Sequence, residues 1–166
     1  LIEAMLEQPQ VCVHRDYHCR NLLLTDGARN RRIGIVDFQD ALIGPVLYEV
    51  ASLLQDCYAL HDETMIAAAL HRFASKSPLL TAIAPEQIAW WHDACAIQRQ
   101  IKAVGIFARL HLRDDKSSHL HYIPSVLARA AALAATHEAT QALSPLLIHW
   151  AKEAATHPLL AKSPAT

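Results

Sequence analysis

This sequence contains little glycine and carries almost no net charge. It contains 4 glycines among 166 residues, which are too few and too scattered for a glycine-rich loop that holds nucleotide phosphates. The 15 basic and 16 acidic residues give a net charge of −1 and form no long blocks of one sign. The chain therefore lacks the basic patch typical of proteins that bind nucleic acid or anionic membrane surfaces.

Long apolar runs and a leader sequence are also missing. No apolar run approaches the roughly 20 consecutive residues that a membrane-spanning helix requires. The first residue is Leu1, and residues 1–10 lack the basic start, apolar middle and small-residue cleavage site of a secretory signal. We therefore expect a soluble fragment of a longer protein, without a membrane partner.

The cysteines are irregularly spaced. They are Cys12, Cys19, Cys57 and Cys95. This spacing favours free thiols in a reducing, cytoplasmic compartment over a disulfide framework. Cys12, His14, His18 and Cys19 are close enough in sequence to suggest zinc. If Val11–His14 is a strand, however, its side chains alternate between two faces and do not converge on one ion.

Hydrophobic residues are abundant and make up 52% of the chain. That content can build one sizeable core, and the length favours a single domain over residues 1–166. After the end of a helix in residues 1–8, short apolar or β-branched segments predict strands. These strands are Val11–His14, Asn21–Leu24 and Arg32–Val36. We expect the last two to form a hairpin turning at residues 25–27, with the first strand beside it.

From Gly44 onward, the sequence changes to alanine- and leucine-rich segments that are too long for strands. The predicted helices are Val46–Leu60, Glu63–Lys76, Pro85–Leu110, Pro124–His137 and Ala142–Ala155. The predicted fold class is therefore α+β and mostly α-helical, with one small β-hairpin.

Polar side chains stand at the ends of the predicted strands. Phosphoryl transfer from a nucleotide needs a carboxylate that accepts the proton of the attacking hydroxyl, and oxygen ligands for Mg²⁺ on the phosphates. Asp16, Asn21 and Asp37 supply such a set. Read separately, they could be a loop residue, a turn residue and a helix cap. The presence of all three at neighbouring strand ends favours one site, with Asp16 as the catalytic residue and Asn21 and Asp37 as metal ligands.

The polar residues next to this set have other assignments. We expect His14 to support the loop by donating to backbone or carboxylate rather than to act as the base. Asp40 either contacts substrate or caps the helix that follows Gly44-Pro45. For His18 and Arg20 we expect solvated surface positions.

At these residues, the sequence resembles the aminoglycoside-phosphotransferase and choline-kinase superfamily, whose catalytic motif is His-x-Asp-x-x-x-x-Asn and whose metal motif begins with Asp. The resemblance implies the C-terminal lobe of a protein-kinase-like fold that uses ATP and Mg²⁺. It assigns the base role to Asp16 and the metal-ligand roles to Asn21 and Asp37. It also implies a catalytic and metal loop at residues 11–40 and a helical substrate region at residues 44–155.

Longer stretches are similar to the anomeric N-acetylmuramate/N-acetylglucosamine kinase family of bacterial cell-wall recycling. They are HRDYHCRN at 14–21, VDFQDA at 36–41, SLLQDCY at 52–58 and QRQIKAVGIFARL at 98–110. This resemblance implies phosphorylation of the anomeric hydroxyl of an amino sugar. The superfamily's N-terminal ATP-binding lobe, with its phosphate-covering loop and strand lysine, has no counterpart here, so we expect the fragment to be inactive alone. The alternatives are an aminoglycoside, choline or homoserine kinase, or a non-catalytic interaction module.

Overall fold

One short helix and then four short strands occupy the first part of the chain, and helices follow them. The computed structural model describes residues 1–26 and 31–160. The strands are β1 Gln10–Val13, β2 Leu22–Asp26, β3 Arg31–Ile35 and β4 Leu42–Pro45. The helices are α1 Ile2–Leu6, α2 Tyr48–Leu54, α3 Glu63–Lys76, α4 Pro85–Asp114, α5 Ile123–Ala135, α6 Glu138–Gln141 and α7 Ser144–Thr156. Single 3₁₀ turns span Cys19–Asn21 and Leu120–Tyr122. The predicted mostly helical α+β class is confirmed.

The strands form two separate antiparallel pairs. β2 and β3 make the predicted hairpin, with Leu22 opposite Ile35, although residues 27–30, and with them part of the predicted turn, lie outside the described residues. β1 was expected beside this hairpin, and that expectation was wrong. It pairs instead with β4, a strand that the sequence did not predict, with Val13 opposite Leu42. A proline at the end of a two-stranded sheet removes no needed hydrogen bond, which explains how Pro45 is accommodated.

Gly44 lets the second pair pack closely. It lies opposite Val11 in the β1–β4 register. A Cβ atom at this position would lie 2.7 Å from Cγ2 of Val13, whose side chain is buried. Any larger residue would therefore have to displace the valine, because protein interiors have few voids.

α2 is shorter than predicted at both ends. It begins at Tyr48, after β4, and ends at Leu54 rather than at Leu60. The early end has a local cause, because the carboxylate of Asp56 accepts the backbone N–H of Tyr58 at 2.9 Å. An aspartate that bonds the backbone two residues later stabilises a turn in competition with the helix.

α3 has the predicted bounds, Glu63–Lys76. Its start has a clear N-cap, since Oδ1 of Asp62 accepts the backbone N–H of Met65 at 2.8 Å. The later helices differ from their predicted bounds by a few residues, and the short α6 was not predicted. These differences are typical of frayed helix ends.

The chain divides within α4 into two compact units, Leu1–Cys95 and Ala96–Thr166. The core of the first unit is built from Ala4, Val46, Leu47, Leu80, Ile88, Trp91 and Ala94. In the second unit, α5 packs against α7, and Ala130 and Ala134 of α5 are buried together with Leu147 of α7. Small side chains on α5 thus allow close helix contact. The single-domain assignment remains a prediction.

Among the described residues, no helix is both long and apolar enough to cross a lipid bilayer.

Candidate active site

The loop between β1 and β2 brings Asp16 and Asn21 into direct contact. The side-chain amide nitrogen of Asn21 donates to Oδ2 of Asp16 at 3.2 Å and to its backbone carbonyl at 2.9 Å. The 3₁₀ turn that ends at Asn21 makes this possible, because it folds the chain back with a bond from the Asn21 N–H to the carbonyl of His18. Both bonds to Asp16 are made by the amide nitrogen of Asn21, and its amide oxygen makes neither of them.

His14 connects this loop to the end of β3. Its Nδ1 accepts the backbone N–H of Asp16 at 3.3 Å, and its Nε2 lies 2.8 Å from the carbonyl oxygen of Val36. A backbone N–H can only donate, so Nδ1 must be the unprotonated nitrogen and Nε2–H must donate to Val36. Both ring nitrogens are occupied by backbone groups, which is the supporting arrangement expected for His14.

Val36 also brings Asp37 to the loop. The N–H of Val36 donates to the carbonyl of Asn21 at 3.1 Å, extending the β2–β3 ladder by one bond. Val36 is thus bonded to Asn21 through its N–H and to His14 through its carbonyl, and Asp37 is the next residue. The carboxylate of Asp37 accepts the side-chain amide of Gln39 at 2.8 Å.

Two residues of this region have backbone angles that non-glycine residues rarely adopt. Asp37 has φ 67° and Arg15 has φ 74°. Aspartate tolerates the left-handed region better than arginine does. The Arg15 conformation is stabilised by a long-range bond, because its N–H donates to Oε1 of Glu49 in the first turn of α2 at 2.8 Å. Positive φ values next to Asp16 and at Asp37 are the kind of strain found at functional sites.

Two expectations for neighbouring residues need correction. His18 is not a solvated surface residue: its side chain is 16% exposed, and its Nε2 lies 3.2 Å from Oδ2 of Asp16. Asp40 does not cap α2, because the N-cap of that helix is Leu47, without a side-chain cap bond. The carbonyl of Asp40 instead accepts the Arg15 guanidinium at 3.4 Å. Arg20 is exposed, as expected.

The side-chain oxygens of Asn21 and Asp37 are of the kind that a hard cation prefers. Within residues 1–26 and 31–160, no three His, Cys, Asp or Glu side chains are grouped so that they could hold a metal ion. That result disfavours a zinc site at the Cys12–Cys19 segment, where both ring nitrogens of His14 already bond the backbone. An amide oxygen with one or two carboxylates is a different kind of site. Mg²⁺ commonly binds one or two protein carboxylates and completes its octahedron with phosphate oxygens and water.

Residues 1–91 match the model of the phosphotransferase enzyme family, APH. The chain belongs to this family. The matched segment contains the entire loop from His14 to Asp40 and all of α2, so every contact described for this site lies within the family match.

Curated relatives of this chain share one name. The N-acetylmuramate/N-acetylglucosamine kinase of Neisseria meningitidis serogroup B is 39% identical over 130 residues, which cover 76% of this chain and 38% of that protein. The Pseudomonas aeruginosa protein of the same name is 40% identical over 127 residues, or 75% of this chain and 36% of that protein. The Caulobacter vibrioides protein of the same name is 37% identical over 117 residues, which cover 69% of this chain and 31% of that protein. This chain thus spans little more than a third of the length of the first two of these relatives.

Sequence reasoning missed the groups that hold the loop from outside it. Glu49 bonds a residue 34 positions earlier, and the carboxylate of Asp56 accepts the N–H of Cys19, 37 positions earlier. The sequence offered two weak signals. Glu49 is an acidic residue in the first turn of a helix, which only indicates a favourable helix dipole interaction. Asp56 lies in the stretch SLLQDCY, whose family resemblance assigns it no role. Burial of Cys19, followed by its hydrogen bond with Asp56, raises the pKa of its thiol.

Proposed function

We propose that this chain is the catalytic-loop part of an ATP-dependent sugar kinase, the C-terminal lobe of a protein-kinase-like fold, which phosphorylates the anomeric hydroxyl of N-acetylmuramate or N-acetylglucosamine. The observation that supports it best is the direct bond between the Asn21 amide and the Asp16 carboxylate, within a segment that matches the phosphotransferase family. The substrate assignment is supported by relatives that are named for these two amino sugars.

In this proposal, Asp16 orients the substrate hydroxyl and accepts its proton. The side chain of Asp16 is 51% exposed, so a sugar can reach it. Its carboxylate lies within hydrogen-bond distance of the Asn21 amide and of His18, and these contacts restrict it to one orientation. As the sugar oxygen forms its bond to the γ-phosphorus, the bond from that phosphorus to the ADP oxygen breaks, and the hydroxyl proton passes to Asp16.

Asn21 and Asp37 are the residues that would hold Mg²⁺. When bound, the ion would offset the negative charge of the phosphate oxygens. The bonds that Val36 makes through its carbonyl to His14 and through its N–H to Asn21 keep the backbone of Asp37 beside that of Asn21. Such positioning accounts for much of the rate gain in phosphoryl transfer, because the reaction requires little covalent chemistry from the protein.

An activity test must allow for the greater length of the relatives. The informative protein is a chimera in which this chain replaces the segment of the Neisseria meningitidis relative to which it aligns. We expect the chimera to convert N-acetylmuramate and N-acetylglucosamine to sugar phosphates with ATP and Mg²⁺, as detected by ³¹P NMR, and the chain alone to be far less active. A methyl glycoside of N-acetylglucosamine, which has no free anomeric hydroxyl, should not react.

The comparison substrates separate the proposal from its rivals. Turnover of kanamycin or choline in preference to the amino sugars would contradict the substrate assignment, and phosphorylation of the methyl glycoside would contradict the anomeric position. A folded chimera without any phosphotransferase activity, while the parent relative is active, would contradict the proposal as a whole. The matched control is the chimera with Asp62→Asn, which alters a helix cap on α3 rather than the loop.

A further inference from the structure

We propose that Asp56 is a positioning residue that sets the geometry of Asp16 and Asn21 through the 3₁₀ turn between them. Its relevance to catalysis rests on the function proposed above. Asp56 follows α2 and is only 2% exposed, so it cannot itself contact a bound sugar or nucleotide. A buried carboxylate is costly unless hydrogen-bond donors surround it, and its donors indicate what it does.

Both oxygens of Asp56 are bonded to backbone N–H groups. Oδ2 accepts the N–H of Cys19 at 2.9 Å, and Oδ1 accepts the N–H of Tyr58 at 2.9 Å. Cys19 is the first residue of the 3₁₀ turn that ends at Asn21. One carboxylate therefore links the turn of the catalytic loop to the turn that ends α2. Bonds from backbone donors to a charged acceptor are among the stronger hydrogen bonds in proteins.

The ring of Tyr58 contacts the residues on both sides of Cys19. The His18 ring meets it edge-on, with centroids 5.2 Å apart, and the guanidinium carbon of Arg20 lies 3.7 Å from its centroid. Segment 56–58 thus contacts His18, Cys19 and Arg20 in succession. A cation over an aromatic ring and an edge-on ring pair each add a modest attraction.

The residues next to Cys19 contact the proposed base, Asp16, directly. His18, beside Cys19, has its Nε2 3.2 Å from the Asp16 carboxylate. Asn21, two residues after Cys19, donates to the same carboxylate and to the Asp16 carbonyl. A displacement of the Cys19 backbone must therefore move both partners of Asp16. Asp56 acts on Asp16 through this turn and touches no reacting atom.

The test uses the ¹⁵N-labelled 166-residue chain with Asp56→Asn. Asparagine has only one acceptor oxygen and presents an NH₂ group to the second backbone N–H, so one of the two bonds must be lost. We expect amide exchange to accelerate roughly tenfold or more at whichever of Cys19 and Tyr58 loses its bond, as loss of a bond to a charged acceptor implies. The side-chain NH₂ signals of Asn21, which report its bond to Asp16, should shift in the same variant. Mn²⁺, the probe for the proposed cation site, should bind about tenfold more weakly.

Two further variants make the result decisive. Asp62→Asn removes the charge of another carboxylate that bonds a backbone N–H, at the start of α3, and should leave the Asn21 signals and the Mn²⁺ dissociation constant unchanged. If Asp56→Asn does not fold, Asp56→Glu keeps the charge and both acceptor oxygens but moves the carboxylate by one methylene, and the Asn21 signals should shift there too. Unchanged Asn21 side-chain signals in a folded Asp56 variant would overturn the proposal.

The metal measurement separates this inference from the proposed function. If the unsubstituted chain fails to bind Mn²⁺ near Asn21 and Asp37, the cation site of the proposed function fails, whereas the coupling of Asp56 to Asn21 is still decided by the NMR signals. If Mn²⁺ binds the unsubstituted chain and binds a folded Asp56→Asn chain equally well, Asp56 is a structural residue only and the positioning role is refuted.

Discussion

The backbone N–H of Arg15 donates to Oε1 of Glu49 at 2.8 Å, across 34 residues of sequence. Arg15 has φ 74°, an angle that costs a non-glycine residue on the order of 1 kcal/mol or more and persists only where other contacts stabilise it. The residue that follows it is Asp16, so the direction of the chain at Arg15 decides where the proposed base lies. The first turn of α2 thus contributes to the geometry of a loop far from it in sequence.

Glu49→Ala should therefore destabilise the chain and loosen the loop. Loss of a hydrogen bond to a charged group costs about 1.5–3 kcal/mol, measured as the change in unfolding free energy in urea, and the Arg15 amide should exchange faster. Glu49→Gln keeps an acceptor oxygen and should lose less. The matched control is Glu63→Ala, which removes an exposed acidic residue from the first turn of α3. A Glu49→Ala protein as stable as the Glu63→Ala protein would show that the bond is unimportant.

Asp16→Ala should lower the turnover of the chimera by roughly 10²–10⁴-fold, the usual contribution of a general base. The affinity for ATP should change little, because Asp16 is assigned to the sugar hydroxyl and not to the phosphates. Asp37→Ala should instead abolish Mg²⁺-dependent activity. Steady-state kinetics with varied sugar, ATP and Mg²⁺ would distinguish the two variants, and full turnover in either would refute its assigned role.

Local signals explain which parts of the structure the sequence could predict. The start of α3 was predicted correctly because its cap, Asp62, bonds Met65 only three residues away. The two residues Gly44-Pro45 are typical of a turn before a helix, and the strand β4 that contains them was missed. Its identity as a strand depends on pairing with β1, 29 to 35 positions earlier, and such pairing leaves little trace in a short segment.

In the candidate site too, residues with a local sequence signal were predicted and residues that act through distant contacts were not. The motif predicted Asp16, Asn21 and Asp37 as one set, and the structure shows Asp16 and Asn21 in direct contact, while the metal roles of Asn21 and Asp37 stay predictions. Glu49 and Asp56 could not be inferred, since helix periodicity indicates only which face a side chain occupies and not which distant N–H it accepts. His18 was misjudged because a histidine in a polar loop is more often exposed than packed against a tyrosine.

Gly44→Ala should destabilise the β1–β4 pair, because the added Cβ would lie 2.7 Å from a methyl carbon of buried Val13. Overpacking of this kind typically costs about 1–3 kcal/mol. Gly34→Ala in β3 is the matched control, since a Cβ there would have its nearest neighbour at 3.7 Å, an ordinary contact. Thermal and urea unfolding of the two variants should differ clearly, and equal stability would contradict the close approach at Gly44.

Tyr58 gives a prediction for alkaline pH. Burial raises the pKa of its phenol to about 12, against the opposing charge of Arg20. In the unfolded chain the phenol titrates near its ordinary value of about 10. The raised pKa therefore stabilises the folded state fully below about pH 10, and this contribution is lost as the pH rises from about 10 to about 12.

The measurement is the difference in absorbance at 295 nm between the unsubstituted chain and Tyr58→Phe across this range, with Tyr122→Phe as a control for the loss of one phenol. We expect the absorbance difference between the unsubstituted chain and Tyr58→Phe to titrate well above pH 10. The free energy of urea unfolding should depend less on pH between 10 and 12 for Tyr58→Phe than for the unsubstituted chain. Arg20→Gln should raise the pKa of Tyr58 further, because it removes the cation that favours the phenolate. A Tyr58 difference that titrates near pH 10 would mean that solvent reaches the ring, and the contacts of Tyr58 with His18 and Arg20 would then not hold the catalytic loop.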